Sequence, residues 1–181
     1  MAASVNSAFN KLEKQLNDLF QRVEMLSDEQ QNFKPDPQSW SILQVFRHMM
    51  QSEGQIDKYL RKKILGTAST QKASFKAKFR SLLLNLAMRL PVKYKVPDAI
   101  KVDFDAHYDF NTLTSDWQSL RKEFKAFLDT IDETTAQKEI FRHPVVGRMS
   151  LLQGLSFMQE HLDRHTKQVE RIMQHTDFPK Q

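Results

Sequence analysis

The sequence predicts an all-α fold, a four-helix bundle with one long crossover connection between the second and third helices. Three observations predict it. The 181 residues include only 4 Gly and 6 Pro, the two residue types least compatible with helix interiors. Apolar residues recur at helical spacing in four long segments. About 45 residues separate the second segment from the third, and a connection of that length lets consecutive helices run parallel.

The first helix is predicted between residues 5 and 26, where apolar residues alternate in steps of four and three, beginning with Val5, Phe9 and Leu12. This spacing is typical of an amphipathic helix with a narrow apolar seam, as in a bundle. The following stretch, DEQQNFKPDPQSWS, contains two prolines, and proline interrupts a helix because it lacks the N–H donor. The first helix therefore ends before this stretch.

The second helix is predicted to begin at Ser41. Ser41 and Gln44 have the S-x-x-Q spacing of a capping box. Its buried stripe includes Ile42, Phe46 and Met49, and the helix ends near residue 66.

The crossover, residues 66–110, contains one amphipathic segment followed by PVKYKVPDAIKVDF, which we expect to be extended. The apolar positions of that amphipathic segment fit packing on the bundle, and they also fit contact with a membrane surface. We expect packing for these residues, which are Phe75, Phe79, Leu82 and Leu86.

The third long helix is predicted over residues 112–131 and the last over 150–175. Ser150 and Gln153 repeat the S-x-x-Q spacing at the start of the last helix. HPVVGRM, between these two helices, is predicted to be a loop. The whole chain, residues 1–181, fits a single domain of ordinary size.

Composition excludes several classes of site. The absence of cysteine rules out disulfides, thiolate metal sites and a cysteine nucleophile. We find no glycine-rich phosphate loop, nucleotide fingerprint or serine nucleophile motif. The N-terminal residues lack the pattern of a secretory signal, and no run of 18 apolar residues predicts a transmembrane helix. We therefore expect a cytoplasmic protein.

Positive charge is concentrated in one part of the chain. Residues 58–97 contain 11 Lys and Arg and no Asp or Glu. Because the net charge of the whole chain is +5, the remaining residues carry a net charge of −6 (5 − 11). Such asymmetry favours an anionic partner or substrate. A solvated basic face explains it equally well, and both interpretations stay open.

Two histidines lie one turn apart on the last helix. His165 occupies a core position of the apolar stripe, and His161, four residues earlier, shares that face. Such a pair can offer two nitrogens to one metal ion, although Leu162 stands where a zinc protease has its glutamate base. His48, beside the inward stripe of the second helix, could reach the same core. Three imidazoles would leave a fourth coordination position open, as in catalytic zinc sites. The alternative is ordinary buried histidines.

Two stretches of the sequence, WSILQVFRHMMQSE (40–53) and HPVVGRMSLLQGLSFMQEHLDRHTKQVERI (143–172), resemble the DinB/YfiT-like superfamily. The resemblance covers nearly the whole chain in order and spacing, and the matching residues are Trp40, Ser41, His48, His143, Pro144, Gly147, His161, His165 and Gln168. It implies the same four-helix bundle with a crossover, and one divalent metal ion on His48, His161 and His165. Imidazole suits zinc, nickel, iron and copper alike, and of these we expect zinc or nickel.

Polar residues near these histidines are candidates for supporting roles. Glu53 and Glu160 are candidates to accept a hydrogen bond from a ligand imidazole, although Glu53 also fits a surface position on the helix edge. Gln44 and Ser52 lie one turn on either side of His48 and are candidates to line the pocket.

The remaining candidates lie in predicted loops. Arg142 and Arg148 flank the H-P-x-x-G stretch and could meet an anionic substrate, whereas His143 is expected to make a local loop contact. His107 stands among aspartates in VDFDAHYDF, which lacks the glycine turn of an EF-hand and is interpreted as a polar loop. His175 is expected to be solvated.

Two functions follow from these features. The first is a metal-dependent enzyme, whose three-histidine site activates water or a thiol for hydrolysis or thiol transfer on a small, anionic substrate; both activities are implied by the resemblance. The alternative is a non-catalytic binding module that uses the basic crossover on an anionic membrane or on nucleic acid. No motif indicates side chains that would hydrogen-bond to the edges of nucleic-acid bases, so no sequence-specific nucleic acid partner is expected. A homodimer is compatible with pairing of bundle faces.

Overall fold

The computed structural model describes residues 1–65, 75–89, 101–143 and 147–180. Within these ranges the chain forms seven helices and one two-stranded sheet. In chain order the elements are α1 (Ala3–Glu24), α2 (Asp28–Asn32), α3 (Ile42–Leu65), α4 (Phe75–Met88), α5 (Phe110–Leu128), α6 (Glu133–Ala136), β1 (Phe141–His143), β2 (Gly147–Met149) and α7 (Leu151–Met173).

The four long helices α1, α3, α5 and α7 form a bundle around one core. Contacts join α1 to α7, α7 to α3, α3 to α5 and α5 to α1, so the helices surround the core in that order. The predicted all-α four-helix bundle is confirmed. In the described parts of the chain, no helix is both long and apolar enough to cross a membrane.

Contacts between α3 and α5 show that these two helices run in the same direction. Near their N-terminal ends, the Phe46 and Phe110 rings lie 6.4 Å apart. Near their C-terminal ends, the Arg61 guanidinium lies 4.7 Å from the centre of the Phe127 ring. The predicted crossover between α3 and α5 includes residues 66–74 and 90–100, which lie outside the described residues.

Capping boxes start the two helices that carry the clustered histidines. The Ser41 N–H donates to Gln44 Oε1 at 3.2 Å, and the Gln44 N–H donates to Ser41 Oγ at 3.2 Å. Ser150 and Gln153 make the same reciprocal pair at 2.8 and 3.2 Å. Each box satisfies two N–H groups at the start of a helix, so the starts of α3 and α7 are fixed as the sequence predicts.

Aromatic side chains fill the centre of the core. Trp117 of α5 is fully buried, and its ring lies 5.4 Å from Phe20 of α1 and 5.8 Å from Phe46 of α3. Edge-to-face pairs of this kind stabilise a core beyond the area they bury. The fixed core in turn sets the position of the inward face of α3.

The segment between α6 and α7 differs from the predicted loop. β1 and β2 pair antiparallel, with Phe141 opposite Met149 and His143 opposite Gly147, so the loop prediction is wrong at both ends of HPVVGRM; residues 144–146 lie outside the described residues. Strands of three residues are too short to show alternation in a sequence. Gly147 has φ of 76°, a conformation that glycine adopts without strain.

Helix α4 carries two apolar faces rather than one. Its buried face packs toward α7, where Asn85 donates a hydrogen bond to Ser156 at 2.9 Å, and this face includes Ser81, Leu84 and Met88. The opposite face is 49–65% exposed and consists of Phe79, Leu82, Leu83 and Leu86. The expectation that Phe79, Leu82 and Leu86 pack on the bundle is therefore wrong; the side chain of Phe75 lies outside the described residues. Apolar periodicity alone could not indicate which of two faces is covered.

Candidate metal centre

Three histidine side chains meet between α3 and α7. His48 comes from α3, and His161 and His165 from α7. One ring nitrogen from each lies within 4.8 Å of the other two, and among the described residues this is the one group of three or more potential His, Asp or Glu ligands with such spacing. The ring centres are 4.5 to 5.4 Å apart. The structure thus brings together the three residues that the sequence singled out.

The donor set fits a divalent ion. The Nε2 atoms of His161 and His165 are 3.2 Å apart. Two nitrogens bound to a tetrahedral zinc ion at its usual bond length stand about 3.4 Å apart, close to this separation. Imidazole nitrogens are ligands for zinc, nickel and other first-row metals. Three of them would occupy three positions of a tetrahedral ion and leave a fourth for water or substrate.

Burial keeps the imidazoles of His161 and His165 uncharged near pH 7. His48 is 4% exposed and His165 is 7% exposed. Burial, reinforced by the neighbouring His48, lowers the pKa of His165 from 6.5 to about 3. Burial, together with His165 and His48, holds the pKa of His161 well below 6.5. A neutral imidazole has the free lone pair that a metal ion needs, so protons do not compete with a metal for these two rings near pH 7.

Two arginines place positive charge near the cluster. The positive charge of Arg164 lowers the pKa of both His161 and His165, and that of Arg171 lowers the pKa of His165. Arg164 also donates a hydrogen bond to the Met88 carbonyl at 3.0 Å. Positive potential from these arginines favours an anionic group beside the cluster.

Gln168 holds His165 in one orientation. Its Oε1 lies 2.9 Å from His165 Nδ1, one helical turn further along α7. Because an amide oxygen can only accept, the hydrogen sits on Nδ1 and the Nε2 lone pair faces the cluster.

Aromatic rings lie beside His48 and His161. The Trp40 ring lies 4.9 Å from His48, and the Phe157 ring stacks 5.8 Å from His161. Phe157 also contacts His143 of β1, at 4.8 Å between ring centres, and burial lowers the pKa of His143. Apolar walls of this kind lower the local dielectric and strengthen electrostatic interactions inside the site.

Glu53 joins α3 to α5. Its side chain is 6% exposed and accepts hydrogen bonds from Trp117 Nε1 at 2.7 Å and Arg121 Nε at 2.9 Å. A second Arg121 nitrogen donates to its other oxygen, and a third donates to Glu13 at 2.9 Å. Both Glu53 oxygens are therefore engaged by α5. Pairing with a buried guanidinium explains a carboxylate on an inward stripe, and we do not assign Glu53 to an imidazole.

Gln44 and Ser52 also contact the backbone rather than a pocket. Gln44 Nε2 donates to the Phe104 carbonyl at 2.9 Å and to two neighbouring carbonyls of the same loop. Ser52 Oγ donates to the His48 carbonyl at 2.9 Å. Helical spacing placed both residues near His48, but the position of the loop at 103–106 cannot be inferred from spacing.

Glu160 and Arg148 contact other parts of the chain. Glu160 pairs with Arg89, with Oε2 and Nε 2.9 Å apart, at a groove of about 550 Å³ between α1 and α7. The Arg148 side chain is exposed, and its carbonyl accepts a hydrogen bond from Arg80 at 3.3 Å. The side chain of Arg142 lies outside the described residues.

His107 and His175 have partners outside the cluster. His107 is exposed, with Nε2 3.1 Å from Asp28, and the neighbouring Asp109 caps α5. These contacts agree with a polar loop rather than a cation site. His175, expected to be solvated, is half-buried, and its ring lies 5.9 Å from that of Phe33.

Sequence reasoning missed two aromatic contributions. Phe157 lies four residues before His161 and therefore on the same face of α7, a signal that was present in the sequence. The second is Trp40, whose ring lies beside His48 and whose Nε1 is buried without a hydrogen-bond partner among the described residues. A buried unpaired N–H is costly, so this atom marks a place beside His48 where a ligand's acceptor would be stabilising.

Known proteins with related sequences or folds agree with this architecture. The family model of the DinB superfamily matches residues 11–169. The uncharacterized protein YuaE from Bacillus subtilis is 22% identical over 147 residues, which cover 81% of this chain and 85% of YuaE. The structure of YfiT from Bacillus subtilis, described as a probable metal-dependent hydrolase with an unusual four-helix bundle topology, aligns with a TM-score of 0.61 and 19% identity over 97% of this chain and 89% of YfiT.

Proposed function

The chain belongs to the DinB superfamily, and from this membership and the histidine cluster we propose that it is a divalent-metal-dependent hydrolase acting on a small, anionic substrate. We propose that His48, His161 and His165 bind one ion, zinc or nickel. The observation that carries the proposal is the convergence within 4.8 Å of three imidazoles, although more than 100 residues separate His48 from His161 in the sequence.

The surrounding residues support this chemistry. A divalent ion on three imidazoles lowers the pKa of a bound water toward neutrality and so supplies a nucleophile. The rings of Trp40 and Phe157 would exclude bulk water, and the positive charge of Arg164 would attract an anionic substrate. A small thiol could take the place of water, which would give thiol transfer at the same site. The description of YfiT as a probable hydrolase favours water.

Metal analysis of the untagged protein tests the proposal. Elemental analysis should find about one zinc or nickel ion per chain in the wild type and a large loss in His48→Ala and in His165→Ala. His107→Ala, which removes an exposed histidine outside the cluster, is the matched control and should keep its metal. A metal-free wild type, or full occupancy in both cluster variants, would contradict the proposal.

Activity tests the choice between water and thiol. Small anionic esters and amides, and electrophiles offered with low-molecular-weight thiols, are the substrates to screen. We expect hydrolysis that EDTA stops and that zinc or nickel restores. Turnover that requires an added thiol would show that the reaction is thiol transfer and not hydrolysis. Activity that EDTA does not change would contradict the proposal of a metal-dependent enzyme.

A second candidate function is binding to an anionic membrane surface, favoured by the exposed face of α4. That face presents Phe79, Leu82, Leu83 and Leu86 at helical spacing, each about half exposed or more, within a segment, 58–97, that has no acidic residue. Such a helix can lie in a lipid headgroup region, where each basic residue near the surface contributes about 1 kcal/mol. Leucines do not stack on bases as aromatic rings do, so the apolar face favours lipid over nucleic acid.

Vesicle sedimentation tests this second candidate. The protein should sediment with vesicles of phosphatidylcholine and phosphatidylglycerol, remain in solution with phosphatidylcholine alone, and lose binding in Leu82→Glu. Met25→Glu is the control, because Met25 is 79% exposed and lies outside α4. Equal binding by Leu82→Glu and the wild type, or self-association that Leu82→Glu abolishes without any vesicle binding, would contradict a membrane role.

A further inference from the structure

Gln168 has one polar contact with the cluster, and its position on α7 explains that contact. It lies three residues after His165, so the two side chains are neighbours on the helix surface. Gln168 Oε1 is 2.9 Å from His165 Nδ1, and the other ring nitrogen of His165, Nε2, is 3.2 Å from His161 Nε2. Gln168 therefore contacts His165 on the side of the ring that faces away from His161.

The contact with Gln168 indicates which nitrogen of the His165 ring carries the hydrogen. A neutral imidazole carries a single N–H, and an amide oxygen only accepts. His165 must therefore donate from Nδ1 to Gln168, which leaves a lone pair on Nε2. That lone pair lies 3.2 Å from His161 Nε2.

We propose that Gln168 is a positioning residue that fixes the Nδ1–H tautomer of His165 and so keeps its Nε2 ready to bind metal. This proposal rests on the proposed metal site. His165 would then bind an ion through Nε2 without any proton rearrangement.

Metal affinity is the property that should change when Gln168 is replaced. Groups that hold the second nitrogen of a ligand histidine typically change metal affinity by about 10–100-fold. Gln168→Met keeps the length of the side chain and removes the acceptor, so zinc affinity should fall within that range. Gln168→Glu keeps an acceptor oxygen at the same distance along the side chain and should bind zinc at least as tightly as the wild type.

Two measurements test the proposal. Long-range ¹H–¹⁵N NMR on the metal-free protein reports the tautomer of each histidine, and competition with a chelator reports zinc affinity. We expect His165 to be the Nδ1–H tautomer in the wild type and in Gln168→Glu, and to lose that preference in Gln168→Met. Gln118→Met, the same change at an exposed glutamine of α5, controls for a general effect and should match the wild type.

The outcomes separate this proposal from the metal site itself. If the wild type binds no zinc or nickel, the proposed function fails, whereas the NMR measurement still tests the tautomer assignment. If the wild type binds zinc and Gln168→Met binds it equally tightly, or if His165 carries its hydrogen on Nε2 in the wild type, Gln168 is not a positioning residue.

Discussion

His165 is held neutral by the apolar core around it, and this neutrality has a consequence for stability. In the unfolded chain a histidine binds a proton near pH 6.5, whereas burial lowers the pKa of His165 in the folded chain to about 3. Between these two values the unfolded state binds a proton that the folded state does not. His161 shifts in the same direction, so acid favours unfolding of the metal-free protein.

We therefore predict that the metal-free protein loses stability as the pH falls below about 6.5. The contribution of His165 is fully present above this value and is lost as the pH falls toward about 3. At about 1.4 kcal/mol per pH unit, His165 alone should remove about 2 kcal/mol between pH 6.5 and pH 5. Urea unfolding in EDTA measures the effect.

The control for this pH dependence is a histidine outside the core. His165→Gln should flatten the decline in unfolding free energy, and His107→Gln should leave it unchanged, because His107 is exposed. A decline of equal slope in His165→Gln and the wild type would show that other groups cause it.

Helical spacing in the sequence predicts which site residues share one face of a helix, and it predicts nothing about contacts with other elements. The i, i+4 spacing places His161 and His165 on one face. That His48 could reach them was indicated by its position beside the inward stripe of α3 and implied by the resemblance to a family, whereas the packing of α3 on α7 is a tertiary contact that spacing does not give. Glu53 and Gln44 were assigned to the site by the same spacing, yet their partners are Arg121 of α5 and carbonyls of the loop at 103–106. Spacing along one helix gives no information about a partner from another element.

At the scale of elements, a buried ion pair joins α3 to α5. Glu53 and Arg121 are 6% and 3% exposed, and the Trp117 N–H also donates to Glu53. Breaking a buried pair by removing one partner leaves an uncompensated charge. This contact fixes the position of α3, and with it that of His48, which lies five residues earlier.

We predict that Glu53→Leu lowers the free energy of unfolding by about 3–5 kcal/mol, because Arg121 and the Trp117 indole lose their buried acceptor. Chemical denaturation measures this loss. Lys14→Ala breaks an exposed ion pair with Asp18 and should change stability by less than about 1 kcal/mol. A folded Glu53→Leu protein should still bind metal. Loss of metal from a fully folded variant would show that Glu53 supports the metal site.

Elements with strong local signals were predicted well, and elements defined by tertiary contacts were not. The capping boxes at Ser41 and Ser150 mark the starts of α3 and α7 within one residue, since both partners of each box are close in sequence. The hairpin of β1 and β2 is defined by pairing across the chain. The exposed face of α4 resembles a buried face in periodicity, so only the position of α7 shows which face is covered.

At the scale of the whole molecule, the candidate site connects two helices that are distant in sequence. His48 belongs to the first half of the chain, and His161 and His165 to the last helix. An ion bound by all three would bind only the folded arrangement, because the unfolded chain does not hold these rings together. Metal binding should therefore be coupled to the stability of the entire bundle.

We predict that zinc or nickel raises the thermal midpoint of unfolding. At a free metal concentration 100 times the Kd, the gain is about 2.7 kcal/mol, which corresponds to about 5–10 °C for a domain of this size. Differential scanning calorimetry with added metal and with EDTA measures the shift. His48→Ala should unfold at the same temperature in both conditions. A metal-induced shift of equal size in His48→Ala would place the bound ion elsewhere.

X-ray absorption at the metal edge of the untagged protein counts the imidazole ligands of the bound ion and is therefore the most direct test of a three-histidine site. We predict three imidazole nitrogens in the wild type, completed by an oxygen ligand, and two in His48→Ala if metal remains bound. One imidazole or none in the wild type, or an unchanged ligand count in His48→Ala, would contradict a metal site made by His48, His161 and His165.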